Sequence, residues 1–227
     1  MTATSNSRRR VKMQAPIVIS LFDKTGVAVQ PWAEAGYDCH IFDLQHGADT
    51  AYLRENVTAH NLDLMHATPD DILHMIDHDG RKIAFVSAFP PCTHLAVSGA
   101  RWFKGKGLRA LADSVHMFAT AADFCEHVGA PYYIENPVST ISTYWRKPDY
   151  SYHPWQYSGL EPDDCYTKKT CLWTGGGFRM PEFCCDPECT PDDRIHKAPP
   201  GPDRMNFRSA TPTGFAQAIF NANNGDL

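Results

Sequence analysis

The stretch "PIVISLF" (Pro16 to Phe22) is a short, β-branched, apolar run that stops abruptly at polar residues, and the chain repeats that design several times. Runs of this kind, bounded by turn formers, read as buried strands. "DCHIFDLQ" is a second such run, ending in Asp43, "KIAFVSAF" a fourth and "PYYIENP" a fifth. Between them, "NLDLMHATPDDILHMI" reads as a short third strand, a loop and a helix. "DKTGVAVQPWAEAGY" has the spacing of an amphipathic helix, with Val27, Val29, Trp32 and Ala35 turned inward and Gly36 as its C-cap. "SVHMFATAADFCEHV" reads as another helix. Strand and helix alternating in this way predict an α/β fold, a parallel sheet with helices on both faces. In such sheets ligands sit beyond the carboxyl ends of the strands. The polar signals fall at those ends: Asp23 to Gly26, Asp43, Asp63, Pro91-Cys92 and Glu135-Asn136. One cleft gathers them all.

After Pro137 the texture changes. The segment from Ser139 to Trp173 is rich in aromatics and turns, and Thr174 to Phe207 is dense in Gly, Pro and Cys without a clear period. The second reads as an irregular excursion from the sheet. A last helix is expected from Thr213, with Phe215, Ala216, Ile219 and Phe220 on its apolar side.

The length of 227 residues suits one α/β domain with a small appended piece, and 43% apolar residues suffice for its core. A formal charge of −5 argues against a protein that grips nucleic acid through phosphates over its whole surface, but leaves room for a local basic groove. The sequence lacks a run of about 18 apolar residues, so a membrane span is not expected. "IVISLF" is too short for a signal-peptide core, which predicts a soluble intracellular protein. The basic cluster Arg8 to Arg10 reads as a solvated tail, or as an arm that touches phosphates. Eight cysteines without a secretory signal predict reduced thiols.

Four strand ends carry chemistry. "LFDKTG" is a tight turn into a helix start, where Gly26 lets the backbone approach a ligand. Asp43 ends a strand roughly 20 residues beyond that turn, where an acid commonly binds ribose hydroxyls. Together they suggest a ligand bearing adenosine. In "SAFPPCTHLAVSG", Pro90 and Pro91 stiffen the backbone ahead of Cys92, a device that a structural thiol does not need. "IENP" sets Glu135 and Asn136 at the end of an apolar strand, Glu135 being a candidate acid or hydrogen-bonding anchor.

With these motifs the chain resembles the DNA cytosine methyltransferases that modify ring carbon 5, especially their compact phage-type members. "SLFDKTG" is similar to the family's first cofactor motif, "PPCTH" to its nucleophile loop, "IENP" to its Glu-Asn motif and "SATPTGFAQAI" to its last motif. The resemblance runs in order from Pro16 to Asn223. It implies a Rossmann-like S-adenosylmethionine-dependent methyltransferase sheet with helices on both faces and a short irregular insertion. The divisions it implies are a basic tail at 1–14, a catalytic domain at 15–173, a small insertion at 174–208 in place of a recognition domain, and a returning segment at 209–227. It implies Cys92 as nucleophile, Glu135 as acid and Asn136 as the residue that orients the loop. Phe22, Asp23, Gly26, Asp43, Asp63 and Pro90 become contacts to S-adenosylmethionine. DNA cytosine is the implied partner, and the cytoplasm, a host's if the chain is phage-encoded, the implied place. The chain departs from the pattern in three places. Asp23-Lys24-Thr25 stands where glycine is usual, Thr93 stands where glutamine is common, and "YTKKTCLW" offers Lys168 or Lys169 where an arginine is expected.

Other readings stay open. The same chemistry serves a free deoxycytidine nucleotide, or RNA. A non-catalytic relative would bind nucleic acid or S-adenosylmethionine without turnover. A zinc-binding interaction domain would draw on Cys184, Cys185, Cys189 and His196, with Cys165 or Cys171, although these spacings are not a standard ligand pair and reduced thiols are the simpler reading. Duplex-reading enzymes carry a dedicated surface for the major groove. The short interval here predicts little sequence specificity and a preference for short or single-stranded substrates.

Overall fold

The computed structural model describes residues 15–47, 51–197 and 208–225. The basic tail and the stretch 198–207 lie outside the described residues, as does the side chain of His196. Among the described residues the strands are β1 (Ile17–Leu21), β2 (Asp38–Phe42), β3 (Ala51–Arg54), β4 (Val57–His60), β5 (Ile83–Ala88), β6 (Tyr132–Pro137), β7 (Tyr150–Tyr152) and β8 (Thr170–Gly175). They form one mixed sheet in the order β3-β4-β2-β1-β5-β6-β8-β7. From β4 through β6 all neighbours are parallel, while β3, β8 and β7 each pair antiparallel to the strand beside them. The carboxyl ends of β4, β2, β1, β5 and β6 therefore share one edge.

The helices are α1 (Gln30–Glu34), α2 (Pro69–Met75), α3 (Phe103–Val128), α4 (Ile141–Tyr144), α5 (Arg194–Lys197) and α6 (Thr213–Asn223). Alternation along β1 divides the core. Ile17, Ile19 and Leu21 pack with Ile72 of α2 and with Phe118, Phe124 and Cys125 of α3. Val18 points the other way, to Trp32 of α1 and Phe215 and Ile219 of α6. This is the α/β architecture with helices on both faces of the sheet that the strand–helix alternation predicts. Among the described residues no helix is long and apolar enough to cross a membrane.

Four details differ from the sequence reading. The first helix is only α1, because Asp23 closes a turn, Gly26 takes φ +68°, and Pro31 fits the opening turn of a helix. The third strand is β4, one turn earlier than expected. It forms an antiparallel hairpin with β3 across Asn56, whose φ of +63° suits that residue type. The aromatic stretch supplies two strands that its turns conceal: β8 inserts between β6 and β7, and Trp173 is fully buried with its indole N–H on the Arg146 carbonyl at 2.8 Å. Finally, Cys165 and Cys189 form a disulfide, Cα atoms 5.7 Å apart, so these two thiols are not reduced. They are neighbours because residues 184–192 fold back over 156–167: Cys184 N–H donates to Gln156, and Thr167 N–H to Asp192.

Candidate active site

The site begins at β1. Phe22 has φ +56°, a conformation costly for a bulky residue and one that clusters at functional turns. Asp23 is buried, and its carboxylate accepts from Ser20 Oγ (2.8 Å), Thr25 N–H (2.9 Å) and Gly26 N–H (2.8 Å). Asp23 is thus the internal scaffold of the turn, and its carboxylate is spent there. The scaffold runs on across the sheet: Ser87 Oγ donates to Ser20 Oγ at 2.9 Å, and Tyr133 of β6 hydrogen-bonds Ser87.

At β2, Asp43 is half-buried and takes the Gln45 N–H at 2.7 Å. Lys24 reaches Gln45 Oε1 (3.1 Å), and His46 Nε2 meets the Asp23 carbonyl (3.0 Å), so the turns after β1 and β2 are tied together. Asp63 is exposed three residues past the end of β4, where it accepts from Met65 N–H. The strand end that was to carry Asp63 is His60 instead.

The loop after β5 holds Cys92. Phe89 N–H donates to the Leu21 carbonyl, and the N–H groups of Leu95 and Ala96 both donate to the Cys92 carbonyl at 2.9 Å. Asn136, 1% exposed, donates from Nδ2 to the Pro90 carbonyl at 2.9 Å. Its Oδ1 has no partner among the described residues. The amide of "IENP" therefore holds the proline loop, and Pro90 is buried beneath it.

Glu135 stands one residue before Asn136, at the end of β6. Burial pushes its carboxyl up from the ordinary range, and the Lys168 ammonium pulls against that rise. The Cys92 thiol is pushed up by burial and then by the Glu135 carboxylate, while Lys168 and Arg208 act in the opposite direction. Cys92, Glu135, Lys168 and Arg208 thus form one electrostatic cluster. Of the two candidate lysines, Lys168 is the one that faces this cluster; Lys169 acts on His153 and Cys171. Lys168 Nζ also donates to the Ala210 carbonyl at 3.3 Å, which joins the site to the returning C-terminal segment.

Two members went unread in the sequence. Arg208 stands alone in the sequence, outside every motif named above. Asp164 sat in an acidic turn that looks solvated, yet it is 6% exposed and accepts the Gly214 N–H of α6 at 2.7 Å.

Among the described residues no group of three or more His, Cys, Asp and Glu side chains is arranged to hold a metal ion. Cys165 and Cys189 are bonded to each other, which removes both from the zinc ligand set considered above. Neither a known protein-family model nor a curated protein sequence matches the chain.

Proposed function

We propose that the protein is an S-adenosylmethionine-dependent methyltransferase acting on carbon 5 of cytosine through a covalent adduct with Cys92. The observation that carries this reading is the meeting of a partly buried thiol with a carboxyl of raised pKa on adjacent parallel strand ends, Cys92 after β5 and Glu135 on β6. Carbon 5 of cytosine is a poor nucleophile until a sulfur adds to carbon 6. Cys92 Sγ adds to carbon 6 as the thiolate, its proton having passed to solvent. Lys168 and Arg208 favour the thiolate at that moment. Glu135, whose carboxyl burial shifts toward the protonated form, donates to ring nitrogen 3, where negative charge develops. Once carbon 5 carries the new methyl group, a solvent base takes its proton, the electron pair expels the sulfur from carbon 6, nitrogen 3 returns its proton to Glu135, and the Cys92 thiolate is restored. Asn136 holds the loop that aims the thiol.

The turns after β1 and β2 suit an adenosine-bearing donor. Asp43 spends one acceptor position on Gln45, and a carboxylate has about four, so ribose hydroxyls can take the others. Phe22 and the backbone around Gly26 would line the same pocket. Bound there, S-adenosylmethionine supplies the electrophilic methyl group.

DNA cytosine is the preferred substrate; a free deoxycytidine nucleotide and RNA are the alternatives. Mass spectrometry of nucleosides from DNA incubated with the protein and S-adenosylmethionine tests the reading. 5-Methylcytosine formed by the native chain and lost in Cys92→Ala is the expected result. Undiminished product in Cys92→Ala would remove Cys92 as nucleophile.

A further inference from the structure

From Thr93 to Ala112 the chain carries Arg101, Lys104, Lys106 and Arg109 and not one acid, within a protein of net charge −5. This segment leaves the Cys92 loop as a 3₁₀ turn (Val97–Trp102) and enters α3. Trp102 is 61% exposed, and the Arg101 guanidinium lies over it, 5.1 Å from the ring centroid. Arg101, Lys104 and Arg109 are all exposed. Lys106 turns back and donates to the Thr93 carbonyl at 2.6 Å, which fixes the strip against the nucleophile loop. Gly107, at φ +82° and ψ 169°, breaks the helix and sets the first turn of α3 at its own angle. No Cβ contact lies within 4 Å of Gly107, so packing does not require glycine there; the backbone angle does.

The exposed indole leaves a flat aromatic face open beside these cations. We infer that Trp102 and Arg101 form a stacking platform for an unpaired base of single-stranded nucleic acid, with Lys104 and Arg109 on its phosphates. The inference rests on the proposed cytosine chemistry at Cys92 and names the form of its substrate: a strand that runs over residues 97–109 while one base enters the site. Aromatic platforms beside a basic track are how proteins hold single strands without reading sequence. A flat indole surface suits an unpaired base, whose faces a duplex keeps covered. The charge complementarity is local, which explains how an acidic protein can still hold a polyanion.

The test is fluorescence anisotropy on the full chain without any methyl donor. The probe is a labelled single strand of mixed sequence, about 12 nucleotides long, within the usual site size for such grooves. Its hairpin duplex and deoxycytidine monophosphate serve as competitors. The single strand should bind best, and Trp102→Ala should weaken it about five- to hundredfold, the range for one lost base stack. Trp102 is largely outside the core, so the variant should unfold at the native temperature. Lys104→Gln and Arg109→Gln should each flatten the dependence of log affinity on log salt by about 0.7. Equal binding by Trp102→Ala, preference for the duplex, or competition by the mononucleotide at the same concentration as the strand would overturn the platform. Trp102-dependent binding without methyl transfer to any cytosine substrate would leave the platform and overturn the chemistry. Methyl transfer without Trp102-dependent binding would do the reverse.

Discussion

Replacing Asp164 by asparagine should change how stability depends on pH. In the folded chain burial raises the Asp164 carboxyl from 3.8 to about 6, the Gly214 N–H and Lys168 opposing that rise and Glu161 and Asp163 adding to it. An acid with a raised folded pKa binds its proton more tightly when native. Below the unfolded value both states are protonated and nothing is lost. As pH rises from about 4 to about 6 the unfolded chain releases the proton first, so stability falls by about 1.4 kcal/mol per pH unit and then levels off. The full drop has an upper bound of about 3 kcal/mol. Asparagine keeps an oxygen for the Gly214 N–H and has no proton to lose. Urea denaturation of both proteins at pH 4, 5, 6 and 7 isolates the effect, because every other group cancels in the difference. The asparagine variant should gain steadily on the native chain between pH 4 and 6 and hold that gain at pH 7. A difference that does not vary with pH, or one that grows in the native chain's favour, would refute the account of Asp164 as an ion buried at a cost.

Three further expectations follow from the same geometry. Glu135→Gln should slow turnover about 10²–10³-fold. If the proposed chemistry holds, the native chain's rate should persist above the usual carboxyl range and fail as pH rises through the elevated Glu135 value, a limb absent from the variant's pH profile. Asn136→Ala should destabilise by about 1–3 kcal/mol, since the buried Pro90 carbonyl loses its partner; chemical denaturation and steady-state rates should both show the loss. Gly176→Ala would set a Cβ 1.9 Å from the Ala130 carbonyl at φ +61°, whereas Gly177→Ala meets open space. The first should cost more than about 3 kcal/mol and the second about 1, and equal melting temperatures for the two would contradict the packing at the end of β8.

Strand periodicity is a local property, and it made β1, β2, β5 and β6 legible in the sequence, along with the helix at Thr213. The candidate nucleophile and acid were legible for a related reason: "PPCTH" and "IENP" are short, rigid signals at strand ends, and a parallel sheet sends such ends to one edge. The hairpin of β3 and β4, the insertion of β8 and the Cys165–Cys189 bond escaped because each depends on which distant segment comes to lie alongside. Asp23 looked like a ligand contact, yet three donors folded around it claim its carboxylate. Lys168, Lys169, Asp164 and Arg208 are ordinary surface residues when read along the chain. Charges interact through space and are strengthened by burial. Only the fold, by bringing β8 beside β6 and returning the C-terminal segment to Lys168, sets one lysine apart from its neighbour and turns a solvated acid into a buried one.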